Sequence, residues 1–84
     1  MRVERTTFSC EGVQEPCITV TSESGYTQVL ISKCYHYVGS DSLYVREFLG
    51  GEFNGEEEYN GDFDDLTDDD AIRIAKEYST YIRE

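Results

Sequence analysis

Cys34 and His36 are the pair closest to an active-site arrangement, because the chain contains three cysteines and a single histidine. A thiol beside an imidazole can act as a nucleophile with its general base. The run around them predicts a β-strand, in which residues i and i+2 lie roughly 6 to 7 Å apart. That distance is too long for the hydrogen bond that activates the thiol. The chain also lacks a serine elbow, a P-loop and a GxGxxG motif, so we predict that it is not an enzyme.

A zinc site is the first metal alternative, since zinc accepts a Cys3His set. The candidate ligands are Cys10, Cys17, Cys34 and His36. Their spacing lacks the pairs two to four residues apart that structural zinc sites usually have. Cysteines on strands more often pack as small apolar side chains, so no metal cofactor is predicted. In a reducing compartment three thiols are most simply free, although a bridge between Cys10 and Cys17 stays open.

A calcium loop is the second metal alternative. The chain aligns with several EF-hand positions, including the glycine and the apolar residue after it. The aligned residues are Glu56, Glu58, Asn60, Gly61, Phe63, Asp64 and Thr67. Threonine replaces the bidentate glutamate at the last position, and glycines upstream disfavour an entering helix. Weak cation binding is the alternative that remains.

Carboxylates dominate residues 52–70. Ten acids fall within these 19 residues, and Lys and Arg are absent from residues 47–72. A run of this kind is either a solvated face or a surface for a basic partner. The ten acids are Glu52, Glu56, Glu57, Glu58, Asp62, Asp64, Asp65, Asp68, Asp69 and Asp70.

Apolar side chains recur through the acidic run, at Phe53, Tyr59, Phe63 and Leu66. They can hold the segment against a core while the carboxylates face water. Two Asn-Gly pairs indicate tight turns with φ > 0. We therefore predict an acidic, turn-rich connection over residues 50–66.

Charge density decides whether this segment could imitate a nucleic acid. One strand of duplex DNA carries a charge about every 3.4 Å of helix axis. Ten carboxylates on 19 extended residues would give roughly one per 6 Å, whereas turns and a helix start would bring them to roughly one per 3 Å. A folded segment could therefore reach the density of a DNA strand.

The first half of the chain has the character of antiparallel strands. Glycine- and serine-containing turns separate β-branched and aromatic runs. The predicted strands are residues 3–10, 18–21, 26–38 and 43–49. The strongest hairpin joins the last two strands, and sequential pairing is the simplest topology.

A C-terminal helix is predicted over about residues 68–83. Thr67 is its N-cap and Asp70 completes a capping box, with acids in the first turn where the helix dipole favours them. One apolar stripe follows at helical spacing, formed by Ala71, Ile74, Ala75, Tyr78 and Ile82. The predicted fold class is α+β, with a three- to four-stranded antiparallel sheet packed against one C-terminal helix.

Length and charge limit the function further. A chain of 84 residues forms a single domain with one core, here a strand-rich part (1–49), the acidic connection (50–66) and a helical part (67–84). The net charge of −11 disfavours direct nucleic-acid binding. No run approaches the ~20 apolar residues of a membrane span, and the first residues lack a signal-peptide core. We expect a cytoplasmic protein without membrane contact.

Small acidic domains with a short sheet, one helix and carboxylate-rich turns such as GEEEYNGDFDDLTDDD (residues 55–70) resemble phage-encoded anti-CRISPR proteins and other DNA mimics. The resemblance covers size, charge and this segment. It implies a protein that occupies the basic channel of a nuclease complex in the host bacterial cell.

The predicted function is a non-enzymatic inhibitor whose carboxylates replace phosphates and block a basic nucleic-acid-binding protein or CRISPR effector complex. Tyr59 and Phe63 are its predicted apolar anchors if they are exposed. The alternative is a regulatory interaction module that binds through a tyrosine-bearing sheet face with Tyr35 and Tyr37. The predicted partner-binding residues are Glu52, Glu56, Glu57, Glu58, Tyr59, Asp62, Phe63, Asp64, Asp65, Asp68, Asp69 and Asp70.

Overall fold

In the part of the chain that the structure describes, five antiparallel strands form one sheet, and they lie side by side in sequence order. The computed structural model describes residues 1–10, 12–33, 42–79 and 81–82. The strands are β1 (Arg2–Cys10), β2 (Val13–Thr21), β3 (Thr27–Lys33), β4 (Ser42–Leu49) and β5 (Glu52–Asn60). A 3₁₀ turn (Phe63–Asp65) and the helix α1 (Asp68–Tyr78) follow. The α+β class and the sequential antiparallel topology are confirmed.

β5 is the strand that the sequence analysis missed. Three to four strands were predicted, and residues 52–60 were placed in a turn-rich connection, but they are extended and pair with β4. Gly50 and Gly51 form the two-residue turn between these strands, with φ values of 60° and 85°. Positive φ at both central residues suits the twist of a two-residue hairpin. This turn and the pairing with β4 outweigh the low strand propensity of Glu, Asn and Gly.

The Asn-Gly pair at residues 54–55 also differs from its prediction. It lies inside β5, where the register shifts opposite Glu47 and Phe48. Asn54 is the extra residue of this β-bulge. Gly55 follows it opposite Glu47, in strand geometry rather than in a tight turn.

Close packing explains the glycine at position 55. A Cβ atom there would lie 3.2 Å from the hydroxyl oxygen of Tyr78, so any side chain would press on α1. In the second Asn-Gly pair, Gly61 follows the end of β5 and has a positive φ of 149°; the tight turn predicted there stays a prediction.

The core lies between one face of the sheet and α1. The register places Ile18, Ile31 and Val45 in one row across β2, β3 and β4, and none of the three is exposed. From α1 the buried residues are Ala71, Ile74 and Ala75. The predicted apolar stripe therefore packs on the sheet as expected.

The start of α1 is confirmed and its end is not. The hydroxyl of Thr67 accepts from the N–H of Asp70, whose carboxylate accepts from the N–H of Thr67, both at 3.1 Å. The helix ends at Tyr78, five residues before its predicted end, because Ser79 adopts extended backbone angles. Ile82 remains buried although it lies beyond the helix. No helix in the described ranges is long and apolar enough to cross a membrane.

Candidate interaction surface

The acidic residues follow a path from one edge of the sheet to the other. The path begins on the edge strand β5, continues through the 3₁₀ turn and ends in the first turn of α1. Arg5 of β1 hydrogen-bonds to the carboxylate of Asp68 at 3.3 Å and to the carbonyl of Leu66 at 2.8 Å. Since strands lie about 4.8 Å apart, β1 and β5 are roughly 19 Å apart. The acids therefore do not form one compact patch.

Three consecutive carboxylates lie on β5, at Glu56, Glu57 and Glu58. Glu56 and Glu58 lie opposite Arg46 and Tyr44, on the sheet face that α1 does not cover, whereas Glu57 lies on the helix side. All three side chains are exposed. An antiparallel strand rises about 3.4 Å per residue, which equals the axial charge spacing of one DNA strand. The match covers only these three residues, and their side chains alternate between the two faces of the sheet.

Among the described residues, three of the ten acids form a salt bridge. Asp64 pairs with Lys33 at 3.2 Å, Asp68 with Arg5 at 3.3 Å and Asp70 with Arg73 at 3.5 Å. Such exposed pairs stabilise a fold only slightly, because solvent and salt screen them. The other seven acids form no salt bridge with any cation of the described ranges, namely Glu52, Glu56, Glu57, Glu58, Asp62, Asp65 and Asp69. β5 is thus the least neutralised part of the path.

Two of the predicted partner-binding residues accept hydrogen bonds from backbone N–H groups. The carboxylate of Asp62 accepts from the N–H of Asp64 at 3.0 Å and caps the 3₁₀ turn. Asp70 belongs to the capping box, and hydrogen bonds from the backbone and side chain of Thr67, together with Arg73, lower the pKa of its carboxyl group. These two acids therefore stabilise the segment whether or not a partner binds.

Phe63 cannot act as the exposed anchor proposed for it. It is only 8% exposed and packs in the core, where it fixes the 3₁₀ turn. Phe53 is the exposed aromatic residue of the segment, at 56%, and its ring meets that of Phe48 edge to face at 5.8 Å. The prediction that the aromatic residues of the segment hold it against the core is therefore wrong for Phe53.

Tyr59 is half-buried and joins β5 to α1. Its ring meets the ring of Tyr78 edge to face, with centroids 6.3 Å apart. Burial, followed by the negative charges of Glu57 and Glu77, raises the pKa of the Tyr59 hydroxyl. Its main contact is thus intramolecular, and only its exposed part is available to a partner.

A buried carboxylate beneath this edge was missed by the sequence analysis. Glu47 is 7% exposed and accepts a hydrogen bond from the side-chain amide of Asn54 at 2.7 Å and another from the hydroxyl of Ser79. The alternation of Leu43, Val45 and Glu47 along β4 places all three on the core face. That period-2 pattern is the signal that predicts the burial of Glu47.

The cysteine predictions are only partly open to test. Cys17 is a buried free thiol, and burial raises its pKa, which makes it unreactive. The backbone register pairs Cys10 with Val13, four residues before Cys17, and Cys17 forms no disulfide with a described residue. The predictions for Cys34, His36, Tyr35 and Tyr37 fall outside the described residues.

The calcium alternative does not fit the backbone. Glu56, Glu58 and Asn60 lie on an extended strand instead of coiling around an ion as an EF-hand loop does. Within the ranges that the structure describes, no three His, Cys, Asp or Glu side chains are grouped so that they could hold a metal ion.

Comparison of the chain with models of known protein families, with curated proteins and with solved structures found no match.

Proposed function

We propose that the protein is a non-enzymatic inhibitor that binds a basic nucleic-acid-binding protein and occupies the place of nucleic-acid phosphates. The observation that carries this proposal is the exposed run Glu56–Glu58 on an edge strand. The run forms no salt bridge with a described residue, although Glu56 faces Arg46 across the strand pair, and its axial spacing is close to that of a DNA strand. An effector complex of the CRISPR type, in the cytoplasm of a host bacterium, is the partner that the resemblance to DNA mimics implies.

Electrostatics explains how such binding would work. A net charge of −11 attracts a basic cleft over about one Debye length, roughly 8 to 10 Å at physiological salt. The acids of the 3₁₀ turn and of the α1 start extend the negative field beyond β5. Association should therefore be fast at low salt and weaken as salt rises.

A purely structural explanation of the same charges also exists. Charged side chains on an edge strand prevent strands of other molecules from pairing with it. That explanation predicts no partner, whereas the inhibitor proposal predicts a basic one, so a binding experiment separates them.

A second candidate is a regulatory module that binds through the sheet face opposite α1. The guanidinium carbon of Arg46 lies 4.9 Å from the ring centroid of Tyr44 on that face. An Arg–Tyr pair of this kind is common at protein interfaces. Variants of Tyr44 should then reduce binding while variants of the β5 acids should not.

Capture of partners from a bacterial lysate, with duplex DNA as competitor, tests the inhibitor proposal. The test variant carries Glu56→Gln, Glu57→Gln and Glu58→Gln. The control carries Glu4→Gln, Glu15→Gln and Glu23→Gln, which removes the same charge away from β5. We expect the native protein and the control to retain a nucleic-acid-binding complex that DNA displaces, and the test variant to lose it. Equal loss in both variants, or retention in both, would contradict the proposal.

A further inference from the structure

β5 is an edge strand, and this offers a partner more than side-chain charge. Within the described chain β5 pairs with β4 alone. In an antiparallel pair, alternate residues direct their N–H and C=O groups away from the neighbour. Among the described residues the outer side of β5 therefore has no strand partner, and its backbone N–H and C=O groups are a template for another strand.

The charge of β5 determines which strand can pair there. If a second copy paired antiparallel about Glu57, Glu56 of one chain would face Glu58 of the other. Like charges directly opposite each other destabilise a strand pair, and opposite charges stabilise it. The edge therefore disfavours its own copy and favours a segment that carries Lys or Arg.

We propose that β5 receives an extended basic segment of the partner protein as a sixth, antiparallel strand; this inference rests on the proposed function and specifies how the same site binds. Because Glu56 and Glu58 lie on one face and Glu57 on the other, the segment carries basic side chains at three consecutive positions. It also carries an apolar residue that contacts the exposed ring of Phe53.

The bulge at Asn54 sets the length of this pairing. A bulge breaks the hydrogen-bond ladder and increases the local twist. Regular pairing is therefore confined to residues 55–60, and the contact with Phe53 is made by a side chain beyond the ladder. Five or six residues of the partner suffice.

Backbone-modified peptides test this pairing at constant charge. The probe is a fluorescent peptide, Thr-Val-Lys-Arg-Lys-Thr-Phe, whose binding is measured by anisotropy at low salt. Two isomers carry N-methyl groups on alternate residues. One isomer is methylated at the odd-numbered positions of the peptide and the other at the even-numbered positions. Only one edge of the peptide faces β5, so one isomer should bind like the parent. The other should bind at least about tenfold more weakly, because it loses two or more backbone hydrogen bonds.

Hydrogen exchange locates the contact, and a peptide with the same residues in scrambled order controls for net charge. We expect the parent peptide to slow amide exchange in residues 55–60. Equal binding of the two isomers would overturn strand addition. If the two isomers bind equally well to the native protein and neither binds to the variant with Glu56→Gln, Glu57→Gln and Glu58→Gln, binding depends on charge alone, and the proposed function still stands. Failure of the parent peptide to bind would also overturn the pairing. So would dimers of the protein at working concentration, because they would show that the edge accepts its own copy. Capture from the lysate tests the proposed function separately.

Discussion

The hydroxyl of Ser79 donates a hydrogen bond to the buried carboxylate of Glu47, which lies 32 residues earlier in the chain. This bond joins the end of α1 to β4 at the point where β5 bulges. Asn54, the bulged residue, donates to the other carboxylate oxygen of Glu47 at 2.7 Å. One buried acid thus connects the helix end, a central strand and the edge strand of the candidate interaction surface.

The substitution Ser79→Ala should lower the free energy of unfolding by about 1 to 3 kcal/mol, because a buried carboxylate loses one of its two donors. Urea denaturation followed by circular dichroism measures this change. An unchanged denaturation midpoint would contradict the proposed importance of the bond.

The substitution of glutamine for glutamate should lower the free energy of unfolding at Glu47 but not at Glu57. Glu47→Gln replaces one acceptor oxygen by a donor amide facing hydrogen-bond donors, and we expect a loss of about 1 to 3 kcal/mol. Glu57→Gln removes an exposed charge from a chain of net charge −11, so we expect no loss or a small gain. The two denaturation curves, recorded at one salt concentration, provide a matched comparison.

Removal of the helix cap should reduce stability and change an acid titration. Thr67→Ala should cost about 0.5 to 2 kcal/mol. The pKa of Asp70 is held below its usual range by hydrogen bonds from Thr67 and by Arg73, so its contribution is present above about pH 4 and is lost as the pH falls through the lowered pKa. NMR titration of Asp70 should show its pKa move up only in part in the variant, because alanine keeps the backbone N–H that bonds the carboxylate and loses only the contribution of the Thr67 side chain. An unmoved pKa would mean that the Thr67 side chain does not lower it.

Alkaline pH should weaken the contact between β5 and α1. Burial, followed by the charges of Glu47 and Glu57, raises the pKa of the Tyr78 hydroxyl, and burial also raises that of Tyr59. The unfolded chain then ionises first, so stability falls as the pH rises above about 10 toward the raised values. Tyr78→Phe should reduce this fall, measured as the urea midpoint against pH. Tyr81→Phe, at a residue that is 59% exposed, is the control.

Two phenylalanines of the acidic segment should separate folding from binding. Phe63→Ala removes a core side chain and should lower stability by about 3 to 5 kcal/mol. Phe53→Ala should change stability by less than about 1 kcal/mol, since most of its surface is already in water, and should weaken capture of a basic partner. A large loss of stability for Phe53→Ala would instead assign that ring to the fold.

The elements that sequence patterns predicted are those whose signals are local. The capping box of Thr67 and Asp70 and the stripe from Ala71 to Ala75 need only neighbouring residues. β5, which was not predicted, also had a local signal, because Gly50-Gly51 is typical of a hairpin turn. Its acidic residues, however, favour a loop when the partner strand β4 is not taken into account. Propensity is a weak guide for such a strand, because its stability comes from pairing.

The candidate site shows the same division. Sequence alone determined that ten acids fall within residues 52–70, that the chain is strongly negative and that a capped helix begins after Thr67, because charge, capping and helical period are properties of neighbouring residues. Only the tertiary structure decided that Phe63 is buried and Phe53 exposed, and that Lys33 and Arg5 neutralise part of the acidic path. It also decided that Glu56–Glu58 lie on an edge strand of the described sheet. Those outcomes depend on which residues distant in the chain become neighbours, and strand pairing and packing set that choice.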